Sequence, residues 1–314
     1  MDVERDNALD ALKGLCICLV VYAHMPMDGA WHFRLHSVSG FIYTFHIYIF
    51  VLISGFLFAR RYATVSVGKI ADRMLKPYVI MAPLNVLMYY AAQRFGIKAS
   101  GEEYDIFRSM INIIVGDGGG AIWYLYTFGI LEILVLFVSK YISAFPHKER
   151  VLISSMMSCV IMYGLRSLGV SVNLLCLPFF YYGMIVGLSC DRMPRHPLFL
   201  VLALMAYVIP TSRFVSTPLH VVWVIGIAFG FLGVVGLQKC QHAVRPLAFL
   251  GEHSLAILVF HPLITTILRP LGSMVLSLES TGVLLSIIML ACNVCLCVFL
   301  ELSMRKLHIY KIIF

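Results

Sequence analysis

Long, continuously apolar runs are the feature that most constrains how this chain folds. Of its 314 residues, 61% are hydrophobic and only 13% are charged, and the mean hydropathy is +0.90. Ordinary soluble domains are about 45–50% apolar and about 25% charged. The runs do not alternate with polar residues as transmembrane strands do, so each run predicts an α-helix. The sequence therefore predicts an all-α polytopic membrane protein in which residues 1–314 form one integral membrane domain.

The number and direction of the membrane spans follow from the breaks between these runs. A spanning helix needs roughly 17–25 mostly apolar residues. About ten spans are predicted, near residues 8–27, 38–59, 75–95, 121–145, 150–168, 173–190, 197–212, 218–238, 247–268 and 281–303. If the N-terminus is cytoplasmic, 17 of the 24 lysines and arginines lie on the cytoplasmic side; the outer side receives Arg34, Arg94, Lys98, Arg108, Arg166, Arg213 and Arg269. The positive-inside rule thus predicts a multi-pass inner-membrane protein with both termini in the cytoplasm.

The charge and cysteine patterns indicate neither nucleic-acid binding nor metal binding. The net charge is +8, but the basic residues cluster between apolar runs, where membrane orientation is their commoner role. Cys292, Cys295 and Cys297 lie within two helical turns and cannot all converge on one ion from a straight helix. The lipid bilayer is therefore an expected partner, whereas a metal and nucleic acid are not.

The first apolar run, "DALKGLCICLVVYAHM", carries ionisable residues. Lys13 and His24 are eleven residues apart, so a straight helix places them on one face and on the order of 16 Å apart. Asp10 lies one turn before Lys13. Lys13 has an alternative role, in which it extends to the headgroups and pairs with Asp10; His24 can mark a helix end before Pro26. Ionisable groups at membrane depth usually face a cavity or a partner, which favours a functional site.

Three further residues fall in the same outer leaflet as His24. His46 lies in the second span, His261 in the ninth, and Trp123 follows the glycine-rich segment "GDGGG" at the start of the fourth. A lone histidine is often a satisfied core residue, and a boundary tryptophan often belongs to the aromatic belt. Three histidines at similar depth nevertheless indicate one wet or substrate-lined cavity.

The cytoplasmic side has its own concentration of charge, in one short loop and the start of the third span: Arg60, Arg61, Lys69, Arg73 and Lys76. Any inner loop attracts such residues. They can also bind the phosphates of a polyanionic cytoplasmic molecule. The spacing leaves both interpretations open.

Several segments, in order along the chain, together resemble a known family. They are "RDNALDALKGLCICLVVYAH", "FHIYIFVLISGFLF", "RMLKP", "AIWYLYTF", "FYYGMIVG" and "FLGEHSLAILVFHPLI", between about residues 5 and 268. This pattern resembles membrane-bound acyltransferase family 3, the multi-pass O-acyltransferases of surface and exported glycans. Lys13 and Lys76 stand where the family usually has arginine, which puts bidentate phosphate binding at Lys76 in question.

The resemblance implies an O-acetyltransferase that uses cytoplasmic acetyl-CoA and a hydroxyl of a glycan or lipid-linked sugar, such as capsule or O-antigen. It implies that His24 acts as general base or as an acyl carrier, and that Lys13 and Asp10 assist it as catalytic residues. Arg60, Arg61, Arg73 and Lys76 would bind the phosphorylated end of CoA. His46, Trp123 and His261 would bind the sugar or stabilise the oxyanion.

A transporter or flippase of a glycan or lipid-linked sugar is the alternative function. It too needs many helices, intramembrane ionisable groups and a central cavity. A transporter built from repeats predicts two similar halves, and the histidine-bearing first run has no counterpart near residue 160. No G-x-S-x-G elbow or H-E-x-x-H motif is present. The acceptor, the acyl group and the oligomeric state are not fixed by the sequence.

Overall fold

The computed structural model describes residues 6–96, 105–118, 120–208, 217–237 and 244–314. These residues form helices and no strands, so the all-α prediction is confirmed. The helices are α1 (Asn7–Ala23), α2 (His32–Tyr43), α3 (His46–Arg61), α4 (Val67–Ile70), α5 (Lys76–Arg94), α6 (Ile106–Ile114), α7 (Trp123–Tyr141), α8 (His147–Ser167), α9 (Leu177–Ser189), α10 (Leu198–Val208), α11 (Pro218–Val235), α12 (Arg245–Glu252), α13 (Ser254–Leu268), α14 (Leu271–Leu278), α15 (Val283–Lys306) and α16 (Tyr310–Ile313).

The prediction of about ten membrane spans is wrong. Within the described residues, four helical segments are long and apolar enough to cross a membrane: His32–Arg61, Gly120–Tyr141, Pro218–Val235 and Val283–Lys306. A fifth is reached if the bent pair α12 and α13 counts as one span. The predicted orientation assumed ten crossings, so the cytoplasmic location of both termini stays a prediction. Four residues of its charge count, Arg5, Lys98, Arg213 and Lys239, lie outside the described residues.

The other predicted spans fail because continuous apolar sequence is not the same as continuous helix. The predicted span 8–27 shortens to α1, which has 17 residues and contains Asp10 and Lys13. The span 173–190 includes a separate 3-10 turn at Leu174–Cys176, which leaves 13 residues for α9. In α8 the charged residues of its first turns and several serines lower the hydropathy below that of a span.

Contacts divide the chain into two compact units, each assembled from three segments. The first comprises Met1–Ala23, Val38–Ala63 and Leu175–Ser254. In this unit α1 packs on α12, α3 on α9, and α10 on α11. Glycines allow the closest of these approaches: a Cβ at Gly14 would overlap the carbonyl of Leu247, and one at Gly55 would overlap that of Phe180. Gly55 belongs to the "SGF" segment, so a backbone contact accounts for it.

The second unit comprises His24–Ser37, Thr64–Leu174 and Leu255–Phe314. Here α5 and α7 contact each other, and both pack against a π-helical turn at Ala71–Leu75. The chain after α1 is attached to the turn between α14 and α15: Ala30 N–H donates to the Ser280 carbonyl over 2.8 Å, and Trp31 N–H to that of Thr281 over 3.0 Å. These two bonds fix the segment that begins with His24.

Candidate active site

A cavity of about 360 Å³ lies within the second unit. Its lining comes from the segment after α1, from α5, from the glycine before α7 and from α13 with the residue that follows it. The lining residues are His24, Met25, Pro26, Tyr89, Ala92, Gly120, His261, Pro262, Thr265, Thr266 and Arg269. Four segments that are distant in sequence therefore meet at one partly open, partly polar space.

His24 is the first residue after α1 and is half-buried. The helix ends at Ala23, although the sequence predicted that it continues to residue 27. Lys13 and His24 would share one helical face if the helix reached residue 24, and α1 ends one residue earlier, so their common face stays a prediction. Pro26 is disfavoured within a helix because it has no N–H to donate, which accounts for an end in this region.

The structure brings His24 and His261 together. Their ring centroids lie 5.5 Å apart in an edge-to-face arrangement, with an interplanar angle of 68°. His261 is fully buried, whereas His24 is half-buried, and both line the cavity. The prediction that the outer-leaflet histidines share a cavity therefore applies to His24 and His261.

The local sequence fixes the tautomer of His261. Its Nδ1 lies 3.1 Å from the Ile257 carbonyl and 3.0 Å from that of Leu258. A carbonyl only accepts, so Nδ1 carries the proton and donates. Pro262 lacks an N–H, and this leaves the Leu258 carbonyl without its helical partner and open to the imidazole. In the neutral ring, Nε2 then bears the lone pair, and this buried atom has no hydrogen-bond partner among the described residues.

A second helix holds the backbone around His261. The Asn293 side chain, fully buried in α15, donates from Nδ2 to the His261 carbonyl over 3.2 Å. The same nitrogen donates to Thr265 Oγ1 over 2.6 Å. Because a proline within a helix disturbs the backbone hydrogen bonds, these contacts stabilise α13 at the point where it presents the imidazole.

The other two predicted substrate residues do not line this cavity. His46 is buried in the first unit, where its Nδ1 donates to the Ile42 carbonyl over 2.7 Å and its ring contacts Tyr43. Trp123 is half-buried at the start of α7, three residues after the lining residue Gly120. A role for either residue in binding sugar stays a prediction.

Lys13 and Asp10 form an ion pair in the first unit, with Lys13 Nζ 2.6 Å from Asp10 Oδ1. Asp10 is buried, and the backbone carbonyl of Asp10 lies against Gly251 of α12. Pairing with Asp10 is the alternative, structural role that the sequence allowed for Lys13. A catalytic role for the two residues stays a prediction.

The predicted donor-site residues make contacts within each unit. In the first, Arg60 pairs with the exposed Asp191 over 2.7 Å, and half-buried Arg61 ends α3. In the second, Arg73 pairs with the fully buried Glu132 over 2.6 Å, and Lys76 Nζ donates to the Lys311 carbonyl.

Glu132 is a buried ionisable residue that was not among the predicted site residues. A carboxylate inside the apolar run of α7 was the signal that could have identified it.

Two further buried polar side chains, Asn85 and Thr127, lie on α5 and α7 of the second unit. Asn85 on α5 is one turn before the cavity residue Tyr89, and neither its side-chain oxygen nor its nitrogen has a hydrogen-bond partner among the described residues. The Thr127 hydroxyl on α7 is buried with no partner in the same part of the chain. Buried polar groups are nearly always satisfied by protein, water or ligand, so these two are candidates for ligand contacts.

The fold and the cavity define a helical membrane protein with a histidine-lined site. A family model described as an acyltransferase domain, that of acyltransferase family 3, matches residues 6–302. The chain belongs to this family, which confirms the resemblance. Comparisons with curated proteins and with solved structures find no match.

Proposed function

We propose that this protein is a membrane O-acetyltransferase that moves an acetyl group from cytoplasmic acetyl-CoA to a hydroxyl of a surface or exported glycan. The family supplies the class of reaction. The observation that carries the site assignment is the edge-to-face pair of His24 and His261, with centroids 5.5 Å apart in one cavity. Imidazole accepts and releases protons near neutral pH, as transfer between a hydroxyl and a thioester requires.

In the proposed step, His24 removes the proton from the acceptor hydroxyl as its oxygen attacks the acetyl carbonyl carbon. The new C–O bond forms, the C–S bond of the thioester breaks, and the leaving thiolate takes the proton from the His24 imidazolium. The products are the sugar ester and CoA. Tyr89 lines the cavity, and its hydroxyl is the candidate donor to the oxyanion that develops during attack.

His261 has a different role because its Nδ1–H is held by backbone carbonyls. The neutral ring offers a lone pair at Nε2 and no second N–H, so it accepts a hydrogen bond rather than donating one to an oxyanion. We propose that His261 Nε2 accepts a hydrogen bond either from the acceptor hydroxyl or from the N–H of His24. In both arrangements His261 orients the group that takes part in proton transfer.

An acyl-histidine route is the second form of the same function. In it, a His24 nitrogen attacks the thioester, CoA leaves, and the acceptor hydroxyl then attacks the acetyl-imidazole. Acid quench of the protein with labelled acetyl-CoA in the absence of acceptor distinguishes the routes. Label on a peptide containing His24 supports the covalent route, and protein without label supports direct transfer.

The donor is proposed to approach along α5 and α7. Lys76 and Tyr89 on α5 are thirteen residues apart, about 20 Å along the helix axis, which suits a long, extended substrate arm. Lys76 provides positive charge and Arg73 provides further N–H donors at one end for phosphates, and Asn85 and Thr127 offer unsatisfied hydrogen-bonding groups to the amides of the arm. A role for Arg60 and Arg61 in binding the donor phosphates stays a prediction.

Measurement of thioester cleavage separates this function from the transporter alternative. Purified protein in nanodiscs is given acetyl-CoA with and without polysaccharide from the source cells, and both free CoA and ester-linked acetyl groups are counted. The proposal predicts acceptor-dependent CoA release, with one ester formed per CoA. Movement of glycan across the membrane with no thioester cleavage would contradict it.

A further inference from the structure

Arg269 lines the active-site cavity but was predicted only as one of the outer-side basic residues. It follows α13 directly, eight residues after His261, or about 12 Å along a helix axis. Its side chain is half-buried and makes no hydrogen bond or ion pair with any described residue.

Three other arginines of the second unit have side-chain partners. Arg73 pairs with Glu132 and Arg305 with Glu301, while Arg94 donates to the Tyr90 hydroxyl. Arg269 is the one formally charged side chain in the cavity lining, which includes no aspartate or glutamate from the described residues. A guanidinium stays protonated, so this cavity holds a positive charge without a counter-ion from its own walls.

Thr265 adds a second donor one helical turn before Arg269. Its Oγ1 accepts a hydrogen bond of 2.6 Å from Asn293 Nδ2, which orients the hydroxyl and leaves its own proton available. No described residue accepts that proton, and Thr265 also lines the cavity. A guanidinium with a hydroxyl donor on the same helical face is a set of groups that suits an anionic oxygen ligand.

We propose that the acceptor is anionic and that Arg269 and Thr265 bind its charged group. This inference rests on the proposed acyl transfer and names the class of acceptor for it. The ligand chemistry is a carboxylate, as in an acidic sugar, or a phosphate, as in a lipid-linked or phosphorylated sugar. With the anion held two turns from His261, a nearby hydroxyl is presented to the two histidines.

Acceptor competition tests this assignment. The probes are methyl glucoside, methyl glucuronide and methyl glucoside 6-phosphate, which share a ring and differ in charge at C6. The full-length protein is assayed with acetyl-CoA, and kcat/KM for each charged acceptor is divided by that for the neutral one. We expect the wild type to favour one charged acceptor by at least about tenfold, and the favoured probe identifies carboxylate or phosphate.

The variant R269Q is expected to lower this ratio roughly 10- to 100-fold, because one charge-assisted, two-pronged contact is lost. R269K, which keeps the charge without the planar fork, should lie between R269Q and the wild type. R94Q is the matched control, since Arg94 is an exposed arginine at the end of α5 and does not line the cavity. Its ratio should equal that of the wild type.

Two results overturn the assignment: a wild type that shows no preference for either charged probe, and an R269Q ratio equal to that of the wild type. Ester formation on the neutral probe in those cases leaves acyl transfer intact and removes only the anionic acceptor. If no probe is acetylated, thermal stabilisation by each charged probe is compared in the wild type and R269Q. Equal or absent stabilisation by both probes then overturns the proposal, and stabilisation of the wild type alone supports it.

Discussion

The cavity lined by His24 and His261 and the Arg73–Glu132 pair lie in the same unit, and both place ionisable groups among apolar helices. At the pair, the guanidinium lies 2.6 Å from a fully buried carboxylate, so each charge has its partner within the protein. In the cavity, His261 Nε2 and the Arg269 guanidinium have no partner among the described residues. A charge that is satisfied internally contributes to the fold, whereas an unsatisfied one at a cavity is available to a ligand.

This contrast changes the expectation for Arg73. The family resemblance assigned it to the phosphates of CoA, whereas its charge and position alone left that role open. Its contact with Glu132 gives it a structural role as well, because a buried carboxylate without a partner carries a large desolvation cost. Loss of function on substitution of Arg73 is therefore weaker support for donor binding than the sequence implied.

The largest expected effect is a loss of acetyl transfer when a cavity histidine is replaced. His24→Ala should lower acetyl transfer about 10²- to 10⁴-fold, because the group that takes the hydroxyl proton is lost. Ester formation by purified protein is the measurement. His36→Ala is the matched control, since His36 is an exposed histidine of the same unit outside the cavity lining. Transfer retained by the His24 variant would remove this residue from the mechanism.

The next prediction concerns stability. Arg73→Ala should lower the free energy of unfolding by about 3–5 kcal/mol, because Glu132 loses its guanidinium partner in an apolar interior. Thermal unfolding in detergent measures this loss. Adding Glu132→Gln to the same chain should recover much of the stability, since the uncompensated charge is then removed. A single variant as stable as the wild type would show that the pair has no structural role.

Lys76 offers a cleaner test of donor binding. Its ammonium contacts the Lys311 backbone carbonyl at an exposed position, so Lys76→Ala should alter stability by no more than about 1 kcal/mol. If it binds a phosphate of the donor, the KM for acetyl-CoA should rise by about tenfold and that for the acceptor should not. Lys69→Ala is the control, because Lys69 likewise donates to a backbone carbonyl, that of Thr64. Equal KM values in the two variants would contradict the assignment.

The smallest expected effect is at Asn85. Replacement by leucine removes a buried amide that has no hydrogen-bond partner among the described residues, so stability should change by less than about 1 kcal/mol or increase. Acetyl transfer should still fall about 3- to 10-fold if the amide contacts the donor arm. Transfer equal to that of the wild type would instead indicate that the amide faces water or an empty space.

The sequence predicted the helical class, the family and the common location of His24 and His261. Hydropathy and residue order carry this information, because apolar runs must form helices in a membrane and the motifs keep their spacing. The number of spans could not be read in the same way. A 3-10 turn before α9 and the end of α1 at Ala23 divide or shorten apolar runs without changing their hydropathy.

Contacts between residues that are distant in the sequence could not be predicted, for a different reason. Arg73 and Glu132 are 59 residues apart, and nothing local to either residue indicates the other. Arg269 was counted only for membrane orientation, because its place in the cavity depends on how α13, α5 and the segment after α1 meet. By contrast, the neighbouring His261 and Pro262 contained a readable signal: proline frees a carbonyl that the preceding histidine can bind.

A double-mutant cycle at the histidine pair tests the central claim most directly. Ester formation is measured for His24→Ala, His261→Gln and the variant with both changes, at equal amounts of folded protein. If the two imidazoles act as one catalytic unit, the double variant should be about as active as the weaker single variant. Losses that multiply would contradict the claim that the two imidazoles act as one catalytic unit, and single variants that keep wild-type transfer would contradict the claim that this cavity is the active site.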